Sequence, residues 1–262
     1  MLLITRERLC VLFTVILCLL AFFSAASVAA AQPGKKVLIV ASNMVDMGDA
    51  EKHEARNDLF EFAPPYHVFV SHGYDVDFVS PQGGAVPFMR DPLGIASYTI
   101  KYENFQQKAS NSLTPAEVKP EQYWAVFSGG GYGVMFDVAQ NVEIQSIIAK
   151  VYEAGGIVGV GGHGAASIAN VKLAGGDYLV KGKKVAGFPD STELEKTWAK
   201  NGTLLPFLIE SRLRENGALA QNKDTLADKH EVVIDQRIVS TMFLPSAALV
   251  AKEMILLQQQ SK

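Results

Sequence analysis

The sequence contains very little cysteine, and the positions of the two cysteines exclude several kinds of chemistry. Cys10 and Cys18 both lie within the first 31 residues, so residues 32 to 262 contain no thiol. That part of the chain therefore cannot form a disulfide, use a cysteine nucleophile or bind a metal through thiolates. A cysteine-free domain also cannot misoxidise, which suits an oxidising compartment.

The chain also lacks basic runs and cofactor motifs. Its formal net charge is −3, and no stripe of Lys and Arg could follow a phosphate backbone, which argues against binding to nucleic acid or to anionic lipid. The turn at 129–133 lacks the G-x-G-x-x-G pattern, no P-loop motif is present, and the five histidines form no H-x-x-x-H pair. We predict no cofactor and no metal site.

The first 31 residues have the pattern of a signal peptide. Arg6 and Arg8 precede an apolar run from Leu9 to Phe23, and small residues follow as far as Ala31. Because this run is shorter than a membrane span, we predict cleavage near Ala31, with a retained anchor as the alternative. The predicted product is one domain, residues 32–262, that is periplasmic or secreted and has no membrane attachment.

Short apolar runs alternate with amphipathic stretches along this domain. The predicted strands are 36–42, 75–80, 124–128, 156–160, 183–188 and 232–242, and the predicted helices are 53–72, 142–154, 164–170 and 245–260. This order predicts a doubly wound, flavodoxin-like α/β fold, with a mostly parallel sheet and helices on both faces. Residues 83–122 break the alternation, and we predict that they form an elaborated insertion with short helices that covers a cleft.

The segment from Ile157 to Asn170 has the pattern of a strand that turns sharply into a helix. Elbows of this kind hold a Ser or Cys nucleophile beside a general base. Here Gly162 occupies the tip, and His163 follows it. A residue at such a tip is forced toward positive φ, where glycine is unstrained. The sequence therefore predicts an elbow with a base-like histidine and no nucleophile.

A second glycine-rich turn follows the predicted strand that ends at Ser128. Consecutive glycines from Gly129 to Gly131 would let backbone N–H groups face a ligand oxygen. In open α/β sheets ligands bind at the carboxyl ends of the strands, where both turns lie. We therefore predict a ligand site that includes Gly130, Gly131, Tyr132 and Gly162.

Five segments, taken together, are similar to one known family. They are 73–80 (GYDVDFVS), 91–92 (DP), 128–137 (SGGGYGVMFD), 155–164 (GGIVGVGGHG) and 182–193 (GKKVAGFPDSTE). On these motifs the chain resembles the ThiJ/PfpI superfamily, which has the class I glutamine amidotransferase-like fold. Within it, the resemblance is to the branch of heat-shock chaperones and glyoxalase III (D-lactate dehydratase) enzymes, and it extends from about Lys36 to the C-terminal helix.

The resemblance implies roles for particular residues. In that family an elbow cysteine attacks 2-oxoaldehydes such as methylglyoxal, the next histidine moves protons, and a helix carboxylate touches the cysteine. The corresponding positions are Gly162, His163 and Glu61, and the family's third acidic partner corresponds to Glu193. Tyr132 stands where a histidine is common. Glycine at the cysteine position implies that cysteine-dependent chemistry is lost.

The acidic candidates also have simpler interpretations. Glu61 is flanked by apolar residues, which predicts a desolvated carboxyl with a raised pKa, although it could instead be a partly exposed helix acid. Glu193 could complete a capping box with Asp190, or it could orient the His163 ring through Nδ1, and the two roles are compatible. We interpret Asp137 as an acid at a helix start.

Three functions remain open from the sequence. The preferred one is an exported pseudoenzyme that keeps the pocket of Glu61, His163 and the Gly130/Gly131 backbone but lacks the nucleophile. It would bind a small carbonyl or carboxylate ligand, or act in stress protection by holding unfolded clients, as a homodimer. The second is an active glyoxalase III-like or hydrolase enzyme in which Glu61 and His163 activate a water. The third is a structural or partner-binding protein.

Overall fold

The computed structural model describes residues 36–89, 104–196, 204–221 and 232–260. The predicted signal peptide and the Asp91-Pro92 motif lie outside these residues, as does the part of the predicted insertion from 90 to 103. The described parts of the insertion contain a short helix and two 3₁₀ turns, as predicted.

A central sheet of six strands organises the fold. The described residues contain eight strands in all, six in this sheet and two outside it: β1 (Lys36–Val40), β2 (Asp75–Val79), β3 (Tyr123–Ser128), β4 (Ile157–Gly161), β5 (Lys184–Val185), β6 (Leu219–Ala220), β7 (Val233–Asp235) and β8 (Ile238–Thr241). The order across the sheet is β2-β1-β3-β4-β8-β7, and every neighbouring pair is parallel except the antiparallel β7–β8 pair. Strands β5 and β6 form a separate small parallel sheet. The predicted fold class is confirmed.

Seven helices of the described residues surround these strands. They are α1 (Leu59–Ser71), α2 (Phe105–Ser110), α3 (Val142–Glu153), α4 (Ala166–Ala169), α5 (Asp190–Glu193), α6 (Ile209–Glu215) and α7 (Ala247–Gln260). Four 3₁₀ turns and one π turn complete the regular structure: Pro115–Glu117, Pro120–Gln122, Gly162–Ala165, Leu244–Ser246 and the π turn Val134–Val138. None of the described helices is both long enough and apolar enough to span a membrane.

Apolar side chains are buried on both faces of the sheet. On one face α1 and α7 contribute Phe62, Phe69 and Met254, and on the other α3 contributes Ile144 and Ile148. All residues of β3 and β4 are buried, so these strands read as continuous apolar runs. Burial of this kind fixes the sheet between two helical layers and holds the carboxyl ends of β1, β3 and β4 at one edge.

Helix α1 begins later than its apolar spacing predicts. The spacing predicted a start at His53, but Asp49 accepts hydrogen bonds from the backbone N–H groups of Glu51 and His53, both at 2.9 Å. These bonds hold the segment in a turn and compete with helix formation. Helix α1 starts at Leu59, where the Asp58 side chain accepts from the N–H of Phe60. Glu61 is therefore in the first turn.

Two later segments also differ from the prediction. The strand predicted at 183–188 is reduced to the two residues of β5, because the chain then turns to pack Gly187 against Ala165. The run 232–242 forms a hairpin, with Gln236 at a φ of 54° in its turn. The helix predicted at 164–170 starts with the 3₁₀ turn Gly162–Ala165 and is regular only in α4.

Gly159 in β4 offers a test of this packing. A Cβ at Gly159 would collide with the Met254 Sδ and would lie 3.0 Å from Val250 Cγ1. We expect Gly159→Val to lower the free energy of unfolding by about 1–3 kcal/mol through overpacking. Urea denaturation of the single variant and of Gly159→Val with Met254→Ala measures this effect. The double variant should recover part of the loss, and simple additivity of the two single changes would contradict the described contact.

Candidate active site

The predicted site residues meet at the carboxyl edge of the sheet. Strands β1, β3 and β4 are parallel and all end there, β3 at Ser128 and β4 at Gly161. The glycine-rich turn follows β3, the elbow follows β4, and the first turn of α1 follows β1 by way of residues 41–58. This edge is where ligands bind in open α/β sheets.

The elbow has the strained geometry that the sequence predicts. Gly162 has a φ of +48°, and the chain enters the 3₁₀ turn Gly162–Ala165 directly after β4. A Cβ at Gly162 would lie 2.9 Å from Glu61 Oε1 and 3.0 Å from Glu61 Oε2. A Cβ at Gly164 would lie 2.7 Å from the carbonyl oxygen of Gly129. The elbow therefore touches both α1 and the glycine-rich turn.

Glu61 is completely buried. Neither of its carboxyl oxygens has a hydrogen bond of good geometry to any described residue. Burial, reinforced by the nearby Asp58, raises the pKa of Glu61 to about 8, although the facing backbone amide of Gly130 opposes this rise. The prediction of a desolvated carboxyl is confirmed, and at neutral pH Glu61 is mostly a neutral acid that can donate a hydrogen bond.

The glycine-rich turn is pressed against the start of α1. A Cβ at Gly129 would lie 2.6 Å from Phe62 Cε2, and one at Gly130 would lie 2.7 Å from Glu61 Oε2. The Gly130 carbonyl accepts a hydrogen bond from the Asp58 N–H at 3.0 Å. Gly131 has a φ of +117°. These contacts give the glycines a packing role, and their predicted role as ligand-facing N–H donors stays a prediction.

His163, Glu193 and Tyr132 form a second group beside the first. The ring Nε2 of His163 lies 2.8 Å from Glu193 Oε2, and the Tyr132 hydroxyl donates to Glu193 Oε1 at 2.8 Å. The side chains of His163 and Glu193 are only 8% and 4% exposed. Glu193 does orient the imidazole, but through Nε2 and not through the predicted Nδ1, because it meets the end of the ring farther from the backbone.

Two aromatic rings contact the His163 imidazole. The Tyr132 ring centroid lies 4.5 Å away at an interplanar angle of 58°, and Phe188 stacks at 4.1 Å with an angle of 21°. The sequence reasoning gave Phe188 no role, although it lies in the 182–193 motif, directly before Pro189. The two rings fix the plane of the imidazole, so that its nitrogens have defined directions.

Of the two remaining acidic candidates, Asp190 acts differently from its predicted role. Asp190 does not cap its own helix, because its oxygens accept from the N–H groups of Glu210 and Ser211, each at 3.1 Å, at the start of α6. No capping box forms with Asp190, and the Glu193 carboxylate contacts His163. Asp137 lies in the first turn of the π turn Val134–Val138, which agrees with its interpretation as an acid at a helix start, and it accepts from the Asn43 N–H at 2.8 Å.

The site therefore consists of two adjoining groups that the Gly162–His163 peptide joins. The first is Glu61, a neutral acid that packs against glycine backbone and has no hydrogen-bond partner among the described residues. The second is His163, Glu193 and Tyr132, which are joined through the Glu193 carboxylate. Glu61 makes no hydrogen bond to His163. Within the described ranges, His, Asp and Glu side chains form no group of three or more that could hold a metal ion.

Comparison with known proteins identifies relatives over most of the described chain. No family model matches the sequence. The chain is 28% identical over 172 residues to glutathione-independent glyoxalase HSP31 of Saccharomyces cerevisiae, covering 61% of this chain and 70% of that protein. It is 29% identical over 208 residues to glyoxalase 3 of Candida albicans, covering 75% of this chain and 87% of that protein.

Solved structures agree with these relatives. The crystal structure of glyoxalase III from Candida albicans superposes with a TM-score of 0.73 at 25% identity, covering 84% of this chain and 96% of that one. A ThiJ/PfpI domain protein from Brachyspira murdochii shares the fold, with a TM-score of 0.58 at 17% identity, covering 87% of this chain and 99% of that one. The chain therefore belongs to the ThiJ/PfpI superfamily, in the branch of the glyoxalase III and HSP31 proteins.

Proposed function

We propose that this protein is an exported binding protein with the glyoxalase III fold. It holds a small molecule through a carbonyl or carboxylate oxygen, next to Glu61, Gly162 and His163, and forms no covalent bond with it. One observation carries this proposal: a fully buried carboxyl without a good hydrogen bond faces a backbone turn that has no side chain.

The state of Glu61 favours an oxygen ligand. A buried polar group without a partner costs about 1–3 kcal/mol, so a ligand that satisfies it gains that much in affinity. With a pKa of about 8 the acid is neutral at pH 7 and can donate to a carbonyl oxygen. An ionised carboxylate at the same place would repel such an oxygen. Glu61 thus supplies a single donor in a dry environment.

His163 would supply the second polar contact. Its Nε2 is engaged by Glu193, and its ring is held between Tyr132 and Phe188. Such a ring keeps one orientation, and pre-organised donors bind with less loss of entropy than mobile ones. The remaining ring nitrogen, Nδ1, is the polar atom that this arrangement offers to a ligand.

The relatives indicate which ligands to test. Their names describe glyoxalases, and the family resemblance places a nucleophilic cysteine at position 162. Gly162 has no side chain that could attack a carbonyl carbon, so 2-oxoaldehydes and their hydroxy-acid products are the ligand class that we propose. Export rests on the signal-peptide pattern of residues 1–31, since only that segment bears on location.

A second function is favoured by the same carboxyl. A general acid or base works best with a pKa near the working pH, and the value of about 8 for Glu61 meets that condition. Glu61 and His163 would then activate a water that adds to the aldehyde carbon of a 2-oxoaldehyde. Transfer of the aldehyde hydrogen to the neighbouring carbonyl carbon converts this hydrate to the hydroxy acid, with no external oxidant or reductant. In that case Glu61→Gln and His163→Ala each abolish turnover without unfolding the protein.

The first test compares lactate formation from methylglyoxal, followed by proton NMR, for the purified protein and for Gly162→Cys. We expect the native protein to be inactive and the cysteine variant to turn over, because the thiol would project beside Glu61. A Cys at position 162 costs about 1–3 kcal/mol of strain at a φ of +48°, which a folded domain tolerates. It also requires a shift of the Glu61 carboxyl, because the added Cβ would lie 2.9 Å from Glu61 Oε1.

The matched control for this test is Gly162→Ala, which adds the Cβ and its strain but no thiol. It should fold like the cysteine variant and remain inactive. Lactate formation by the native protein would contradict the binding proposal and favour the water-activating enzyme, for which the Glu61 and His163 variants are then the decisive measurement.

Binding should also depend on pH in a way that Glu61 controls. We expect the affinity for hydroxyacetone, measured by NMR titration, to be constant below pH 7 and to fall as pH rises through 8, because ionised Glu61 cannot donate. Glu61→Gln keeps an amide donor of the same shape, so its affinity should not change over this range. An equal decline in both proteins would exclude Glu61 as the cause.

The stability of the fold should depend on the ionisation of Glu61 as well. The folded pKa of about 8 lies above the ordinary value of 4.5, so the folded state binds more protons between these values. The free energy of unfolding should then fall with rising pH in that window, by up to about 1.4 kcal/mol per pH unit. Urea denaturation at pH 5, 6.5 and 8 should show this decline relative to Glu61→Gln, and parallel curves would argue against a raised pKa.

A further inference from the structure

A groove on the surface lies outside the proposed ligand site and contains none of the residues Glu61, Gly162 and His163. This groove of about 710 Å³ is lined by α3, by the segment around Asn170 to Tyr178, and by Arg212 of α6. Its volume is in the range typical of small-molecule sites, about 300–1,000 Å³. None of the predicted site residues lines it.

The groove is positively charged in a protein that is negative overall. Lys150, Lys172 and Arg212 line it, against the single carboxylate of Glu153. Arg212 also contacts Glu215 at 2.9 Å, and counting both acids still leaves a net charge of +1, from three cations and two carboxylates. The whole chain has a formal net charge of −3. The groove is therefore more positive than the protein as a whole and would attract anions.

The two lysines have no anionic partner in the part of the chain that the structure describes. Neither Lys150 nor Lys172 forms an ion pair with any described residue, and Lys172 lies only over the Tyr178 ring, 5.2 Å from its centroid. By contrast, Lys108 and Lys181 contact aspartates at 3.0 Å and 2.7 Å. The ammonium groups of the groove are therefore available to an anion from solution.

Arg212 and its neighbours are held in place before any ligand arrives. The guanidinium stacks over Phe207 at 4.7 Å and donates to Asn170 Oδ1 at 3.1 Å. The Asn170 amide donates in turn to the Ala139 carbonyl at 3.2 Å, and Gln145 donates to the same oxygen at 2.8 Å. This network fixes a cation at one end of the groove and lowers the entropy cost of binding.

We infer that this groove binds a small organic phosphate. Two ammonium groups on separate segments, with a fixed guanidinium beside them, match a doubly charged anion better than a single carboxylate. Lys150 and Lys172 hold the phosphate oxygens, Arg212 adds its field, and Tyr178 and Leu173 contact the organic part. This inference goes beyond the proposed function and does not depend on Glu61 or His163.

The test is an NMR titration of the purified protein, labelled with ¹⁵N, with glycerol 3-phosphate, glycerol and acetate. We expect saturable shifts of the Ser146, Lys150 and Lys172 amides with glycerol 3-phosphate, weaker shifts with acetate and none with glycerol. Each of Lys150→Gln and Lys172→Gln should weaken binding up to about fivefold, the size expected for one exposed ion pair. The spectra report at the same time that each variant is folded.

Lys119→Gln is the matched control, because Lys119 is an exposed lysine that does not line the groove. It should bind as the native protein does. Glu61→Gln should also bind glycerol 3-phosphate normally, which separates this inference from the proposed function. Shifts outside the groove, equal binding of acetate, or no saturation at millimolar glycerol 3-phosphate would each overturn the inference.

Discussion

The site depends on one close contact, in which the first turn of α1 packs directly against the backbone of three glycines. Gly129 and Gly130 leave room for Phe62 and Glu61, and Gly162 leaves room for the Glu61 carboxyl from the other side. A larger residue at any of these three glycines would have to displace α1 or its side chains. The glycines of both turns are thus needed to bring a helix acid to the end of β4, whatever else they do.

The two halves of the site are stabilised in opposite ways. His163, Glu193 and Tyr132 satisfy one another, so their burial is compensated by hydrogen bonds. Glu61 has no such compensation, and the fold tolerates it because the rest of α1 buries apolar residues against α7 and the sheet. Buried polar groups that violate the usual pairing rule are uncommon, and they concentrate where a protein binds or reacts.

Much of this arrangement could be predicted because its causes are local. Continuous apolar runs predicted the buried parallel strands, a glycine at an elbow tip predicted positive φ, and apolar neighbours predicted the raised pKa of Glu61. The failures came from contacts between distant segments. Asp190 caps a helix that begins about 20 residues later, and Phe188 meets His163 only in the folded chain.

Other features could not be predicted because no sequence pattern carries them. The predicted start of α1 was wrong because the Asp49 side chain accepts from the N–H groups of Glu51 and His53, and these bonds compete with helix formation. The basic groove was also missed, since its three cations come from separate segments and form no motif. In both cases the outcome depends on which residues a charged side chain contacts in the folded chain, and the sequence pattern does not give these contacts.

The two borders of the sheet have a further consequence. An unpaired strand at a sheet border can pair with another copy and start aggregation. One border strand, β7, is only three residues long. At the other border, Leu113 donates to the Phe78 carbonyl at 2.8 Å and accepts from the Ser80 N–H at 3.1 Å, which covers one end of β2. Within the described part of the chain, the central sheet therefore leaves little free strand edge at either border for pairing between copies.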